Sequence, residues 1–254
     1  YGGFDHNKQS LRIVTLLEQR YADFPGLNLT WEVREGIVKH ESEYDIADAS
    51  EYNPELRGHL EAQIANVADE LAYTTHDLDD GLRSEMISPL MLEGITLWEI
   101  LKESVGWQPP ILDELTRHRM IRDLIGMEVT DLVHTSDRLL RECKVKSAED
   151  IQRLPYNAMV FSEDMHRRTR ELKDFLYNNL YRHHRVIRMQ VKADRIVSEL
   201  FKAYQSDPEM LPQHIQETVD ERGLERTICD YIAGMTDRFA IEEYEKLFAP
   251  STRP

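Results

Sequence analysis

Apolar residues along this chain recur at the three- and four-residue intervals of an α-helix almost everywhere, and almost nothing alternates at period two. Leu11, Val14, Leu17 and Tyr21 mark a first helix, with Asp5 at the position of an N-cap. Pro25 and Gly26 break it, and Thr30 then caps a short helix over WEVREGIVKH. The polar, acidic stretch 41–53 reads as an exposed loop. A long helix is expected from Pro54, in its first turn, to Asp79, with Gly81 as its stop. Helices at 91–105 and 111–142 follow, separated by GWQPP. After a mixed segment at 143–160, Ser162 caps a helix running through RELKDFLYNNLY, another covers 185–205, and a last one carries CDYIAGMTDRFAIEEYEKLF. The class is all-α.

The long helix raises a question of charge. At about 100° per residue, Leu60, Ile64, Val67, Leu71 and Leu78 form one apolar face, while Asp69, Tyr73 and His76 lie opposite. Ala62, Ala65 and Ala72 stand where a solvated helix would carry Lys or Gln, which predicts a helix covered on more than one side. From Glu61 to Asp80 the chain holds Glu61, Asp69, Glu70, Asp77, Asp79 and Asp80 with no Lys or Arg. An i,i+4 salt bridge for Asp69 is therefore excluded. A buried, unpaired carboxylate is expensive, so a metal, a distant cation or a ligand has to compensate it.

Composition narrows the partners. A formal charge of -16 over 254 residues argues against a general nucleic-acid or anionic-membrane surface. No run reaches the ~18 apolar residues of a membrane span. Cys143 and Cys229 stand alone, without metal or redox spacing, which points to a reducing compartment and a cytoplasmic location. The chain opens on YGGFDHNKQSLRIV, without an initiator Met or a leader pattern, and reads as part of a longer polypeptide or one whose upstream part was not observed.

Five stretches, GGFDHNKQSLRIV, GLNLTWEVREGIVKH, LEAQIANVADELAYTTHDLDDGLR, FLYNNLYRHHRV and DYIAGMTDRFA, resemble the HD-domain deoxynucleoside triphosphate triphosphohydrolases, the dGTPase-like group, in the order that family has them. The resemblance implies an HD-domain helical fold over 1–145, completed by a C-terminal helical region over 146–254. It implies hydrolysis of a dNTP to a deoxynucleoside and inorganic triphosphate, and homo-oligomers. It makes Asp69 the last ligand of a divalent metal (Mg, Mn or another transition metal), and so offers an answer to the missing cation. Tyr73 and Asp77 match positions that contact the deoxyribose, Tyr181 a second pocket tyrosine, and Lys173 a basic position near the phosphates, with Arg182 and Arg185 as weaker counterparts. The family's first His, its His-Asp pair and a His/Glu segment fall upstream of GGFDHN, so this chain alone is expected to be inactive.

Other residues divide between chemistry and packing. His6 has an active-site role or a capping one. His40 reads as structural, and one of the adjacent His183 and His184 as packing. Glu32, Arg34 and Glu35 read as a solvated face, and Asp230, Asp237 and Arg238 as structural. Two alternatives remain: a nucleotide-binding regulatory protein without catalysis, and an HD phosphohydrolase acting on another nucleotide.

Overall fold

The computed structural model describes residues 3–40 and 51–252; most of the acidic stretch expected as a loop, residues 41–50, lies outside them. The helices are α1 (His6–Arg12), α2 (Trp31–Val38), α3 (Leu60–Arg83), α4 (Thr96–Val105), α5 (Glu114–Cys143), α6 (Ala148–Gln152), α7 (Glu163–Leu176), α8 (His184–Ser206), α9 (Gln213–Gln216), α10 (Val219–Arg222), α11 (Leu224–Ala233) and α12 (Asp237–Phe248). No strand forms among the described residues, and one bridge joins Gln19 to Gly26. The protein is all-α.

Capping chemistry sets several of these boundaries. Asp5 accepts from the Asn7 and Lys8 amides at 2.9 and 3.0 Å, Thr30 from Val33, and Ser162 from Met165 at 3.2 Å. The first helix is shorter than its apolar spacing predicts. It ends at Arg12 and continues as a π turn over Ile13–Leu17, leaving Tyr21 outside. The returning chain competes for its carbonyls: Leu27 N donates to Val14 O and Gly26 N to Glu18 O, both at 2.8 Å. Gly26 is required there, because its φ is +81° and a Cβ would stand 2.6 Å from Val14 O.

The central helix also departs from expectation at both ends. It begins at Leu60, capped by His59, whose Nδ1 accepts from the Ala62 amide at 3.3 Å; Pro54 lies outside it. It runs through Gly81 to Arg83. Gly81 is a point of close packing, not a stop, since a Cβ there would meet Ile87 Cδ1 at 2.6 Å. Ala in a helix is favoured over Gly by about 1 kcal/mol, but overpacking costs about 1–3 kcal/mol, and buried Ile87 has little room to yield. Gly81→Ala is therefore expected to lower stability by about 1 kcal/mol, read as a fall in the urea midpoint.

Two compact units compose the chain, Tyr1–Leu180 and Tyr181–Pro254. Residues 146–180, grouped with the C-terminal region on the sequence, are tied into the first unit by side chains that bind backbone. The Arg57 guanidinium donates to Leu154 O, Pro155 O and Asn157 Oδ1 at 3.2, 2.8 and 3.2 Å. In the extended segment before α7, every second amide finds an acceptor on a helix. Ala158 N donates to Gln63 Oε1 (2.6 Å), Val160 N to Ser136 Oγ (3.0 Å) and Ser162 N to Asp131 Oδ2 (2.8 Å).

On α3, buried Leu71, Thr74, Thr75, Leu78 and Leu82 keep helical spacing, and the two threonines satisfy their hydroxyls on carbonyls one turn back. On α5, which packs against α3, the buried stripe is Met120, Leu124, Glu128, Leu132 and Ser136. In the second unit α8, α11 and α12 close around Ile196, Leu200, Tyr204, Leu211 and Ile228. The single last helix expected there is two. The chain breaks after Ala233, and Thr236 restarts it by accepting from Phe239 N at 3.2 Å.

Candidate functional site

Helix α3 is covered on more than one side, by α2, α5, α6 and α7, but its acidic face is open. The Asp69 side chain is 74% exposed, and Tyr73 and His76 are also exposed, with Asp77 half-buried. Of the predicted apolar face, Leu71 and Leu78 are buried, Leu60 and Val67 are half-buried, and Ile64 is exposed. The α2 backbone meets the start of α3 closely: a Cβ on Gly36 would lie 3.1 Å from Ala62 Cβ.

Cations for this helix come from elsewhere in the sequence. Glu70 pairs with Lys173 of α7, and Asp79 with Arg117 of α5. Asp69 Oδ2 lies 3.8 Å from His40 Nε2. Glu61 Oε2 lies 3.1 Å from His59 Nδ1, and its own backbone N–H at the helix start is the main influence holding its carboxyl below the ordinary range. The missing i,i+4 partners are thus largely replaced by long-range ones.

His40, read as structural on the sequence, is the centre of this region. Its Nδ1 lies 2.6 Å from Asn66 Oδ1, while Nε2 faces Asp69. Its backbone carbonyl accepts from buried Asn7 Nδ2 at 2.7 Å, and its ring stands edge-on to His6, centroids 6.3 Å apart. His6, His40, His59 and Asn66 line a cleft of ≈ 500 Å³ beside α1, α2 and the first turns of α3. An open carboxylate with an imidazole nitrogen beside it fits a divalent ion in donor type. Among the described residues, however, no three His, Cys, Asp or Glu side chains gather into a metal-holding group.

Behind the stripe, Lys173 brings its charge to Glu70. Burial pushes the Glu128 carboxyl up to about 8, opposed by the Lys173 ammonium and reinforced by the Glu70 carboxylate. Glu35, assigned to a solvated face, is instead 1% exposed and pairs with Lys39 at 2.7 Å, which also donates to Asn53 O at 3.0 Å. Its i,i+4 spacing from Lys39 was the available signal. Tyr181 ends the π turn Tyr177–Tyr181, and Arg182 follows it at the start of the second unit. His183 caps α8 by accepting from Arg185 N at 3.3 Å, a structural role.

The description "phosphohydrolase-associated domain" matches residues 159–246. Across the full chain, the deoxyguanosinetriphosphate triphosphohydrolase-like protein of Geobacter sulfurreducens is 46% identical, over 66% of its own length. The protein of the same name from Nitrosomonas europaea is 43% identical over 98% of this chain and 67% of its own length. The chain belongs to the deoxyguanosinetriphosphate triphosphohydrolase-like family. It spans about two thirds of the length of these relatives. Within this triphosphohydrolase-like chain, α3 therefore carries Asp69, Tyr73 and Asp77 at four-residue spacing toward solvent or its margin, with Lys173 reaching the same helix from α7. No helix among the described residues is long and apolar enough to cross a membrane.

Proposed function

We propose that the protein hydrolyses a deoxynucleoside triphosphate, dGTP-like, to a deoxynucleoside and inorganic triphosphate. The observation that carries this reading is the open Asp69–Tyr73–Asp77 face of α3 in a chain of this family. Asp69 contributes one carboxylate to a divalent metal, with His40 beside it. A bound divalent ion would supply an acidified water and neutralise charge at the α-phosphate. Tyr73 packs its ring on the deoxyribose and leaves no room for a 2′-hydroxyl, while Asp77 accepts a hydrogen bond from the 3′-OH. Lys173 leaves Glu70 for the phosphates, where charge-assisted hydrogen bonds are strongest. Tyr181 and Arg182 enter on the family resemblance, Arg182 as a second cation for the triphosphate, and His6 enters as an imidazole lining the cleft beside His40.

The test is phosphorus NMR of the metal-supplied full-length protein with dGTP and with GTP. Triphosphate is expected as the released product, with dGTP preferred. Tyr73→Ala is expected to narrow that preference by about tenfold or more, in line with steric discrimination of about 1–3 kcal/mol, without changing metal content. Release of no triphosphate from any dNTP overturns the reading.

A further inference from the structure

His40 is anchored from several directions, while the carboxylate it faces is not. It follows directly on the end of α2, where buried Lys39 is fixed by Glu35 at 2.7 Å and by Asn53 O at 3.0 Å. Its own carbonyl accepts from Asn7 Nδ2 at 2.7 Å, its ring stands edge-on to His6, and its Nδ1 meets the Asn66 amide at 2.6 Å. Nε2 is left over, directed at Asp69 Oδ2 from 3.8 Å. His59, in the same cleft, has no such nitrogen to spare: its Nε2 lies 2.9 Å from Glu32 O, and its Nδ1 serves the Ala62 amide and Glu61. The Asp69 side chain, 74% exposed, meets no other hydrogen-bonding or charged partner among the described residues. An exposed carboxylate turns about its side-chain bonds between staggered wells, and a movement of about 1 Å at the oxygen brings this pair to hydrogen-bonding distance.

We propose that His40 is a positioning residue for Asp69: its Nε2–H takes the Oδ2 side of the carboxylate and leaves Oδ1 turned to a divalent ion, with Asn66 setting the ring. The proposal rests on the reading of Asp69 as a metal ligand and deepens it. A carboxylate loose in solvent must be ordered before it can ligate, and hydrogen-bonded partners behind a ligand supply that order. Asn66 and Asp69 stand one turn apart on α3, so a ring that bonds the first is brought to the second. Asn66 has no other side-chain hydrogen bond among the described residues, so its amide can turn its N–H to Nδ1, which places the ring's proton on Nε2. A wholly structural role for His40, tying the end of α2 to α3, would be met by Asn66 alone and gives no reason for Nε2 to face an open carboxylate.

The experiment uses Mn²⁺ as the probe, with its dissociation constant measured by equilibrium dialysis on the full-length protein without nucleotide. His40→Ala is expected to weaken Mn²⁺ binding about 10–100-fold, the range found when a partner behind a metal ligand is removed. Asn66→Ala is expected to weaken it by a smaller factor, and carries the same test from α3 should His40→Ala fold poorly. His59→Ala, which removes the cap of α3, is the structural control: it is expected to lower the urea midpoint and leave the Mn²⁺ affinity of the folded protein unchanged. Unchanged Mn²⁺ affinity in both His40→Ala and Asn66→Ala overturns the proposal. An equal loss in His59→Ala also overturns it, since that would mark a general loosening of α3. A wild-type protein that binds no Mn²⁺ overturns it together with the metal reading of Asp69. Mn²⁺ affinity that depends on His40 in a protein that hydrolyses no dNTP upholds the positioning role and sinks the hydrolase reading alone; dNTP hydrolysis with Mn²⁺ affinity indifferent to His40 does the reverse.

Discussion

Asp69→Ala is expected to remove bound divalent metal and hydrolysis together while leaving the fold in place. The two halves of that expectation come from different facts. The side chain is 74% exposed, and its neighbour His40 Nε2 is 3.8 Å away, too far for a hydrogen bond. Exposed pairs of this kind contribute ~0–1 kcal/mol, so the urea midpoint should stay within about 0.5 kcal/mol of wild type. The functional loss has no such ceiling. Losing several kcal/mol of transition-state charge stabilisation corresponds to about a thousandfold or more in rate. Metal analysis, phosphorus NMR and urea unfolding on one preparation check all three quantities. Full activity and full metal content in Asp69→Ala would remove this helix from the chemistry.

Glu128→Leu should produce the opposite pattern, a gain in stability that depends on pH. The carboxyl titrates at about 8 in the folded protein against an ordinary 4.5. Between those values the folded state holds a proton that the unfolded chain has released. Wild-type stability therefore falls as pH rises from about 4.5 to about 8, and the full penalty stands above that. Leu has no proton to hold. The advantage of the variant is expected to be smallest near pH 4.5, to grow steadily, and to level off above pH 8 after a gain of roughly 5 kcal/mol. Urea midpoints at pH 5, 7 and 9 decide it; a constant offset between the two proteins at all three would mean that Glu128 does not titrate in this range.

Local chemistry was the legible part of this fold. Asp5, Thr30 and Ser162 cap helices where the sequence places them, because a cap is decided by three or four neighbouring residues. Thr236 offered the same signal, with Asp237 behind it, but an unbroken apolar rhythm on either side concealed the join. Gly81 misled because a glycine late in a helix reads as an end, and only Ile87, folded back against it, reveals the packing reason. For Asp69 the burial that would make an outside partner necessary is absent, its side chain being 74% exposed, and the outside cations found on this helix serve Glu70 and Asp79. Which partners could not be read, since Lys173 and Arg117 are distant in sequence and nothing local pairs them with Glu70 and Asp79. Glu128 stands on a four-residue apolar rhythm, but a single Glu in a long polar helix looks solvated until α5 is packed.

The extended segment before α7 carries a further consequence for sequence change. Its alternate amides at Ala158, Val160 and Ser162 are held as a β-strand's would be, but the acceptors are side chains of Gln63, Ser136 and Asp131 rather than a neighbouring strand. The information that shapes this stretch is therefore written on α3 and α5. Within the segment only buried Ala158 and the capping Ser162 are tied by their own side chains, so a change at Gln63, Ser136 or Asp131 would reshape a stretch that lies far from it in sequence.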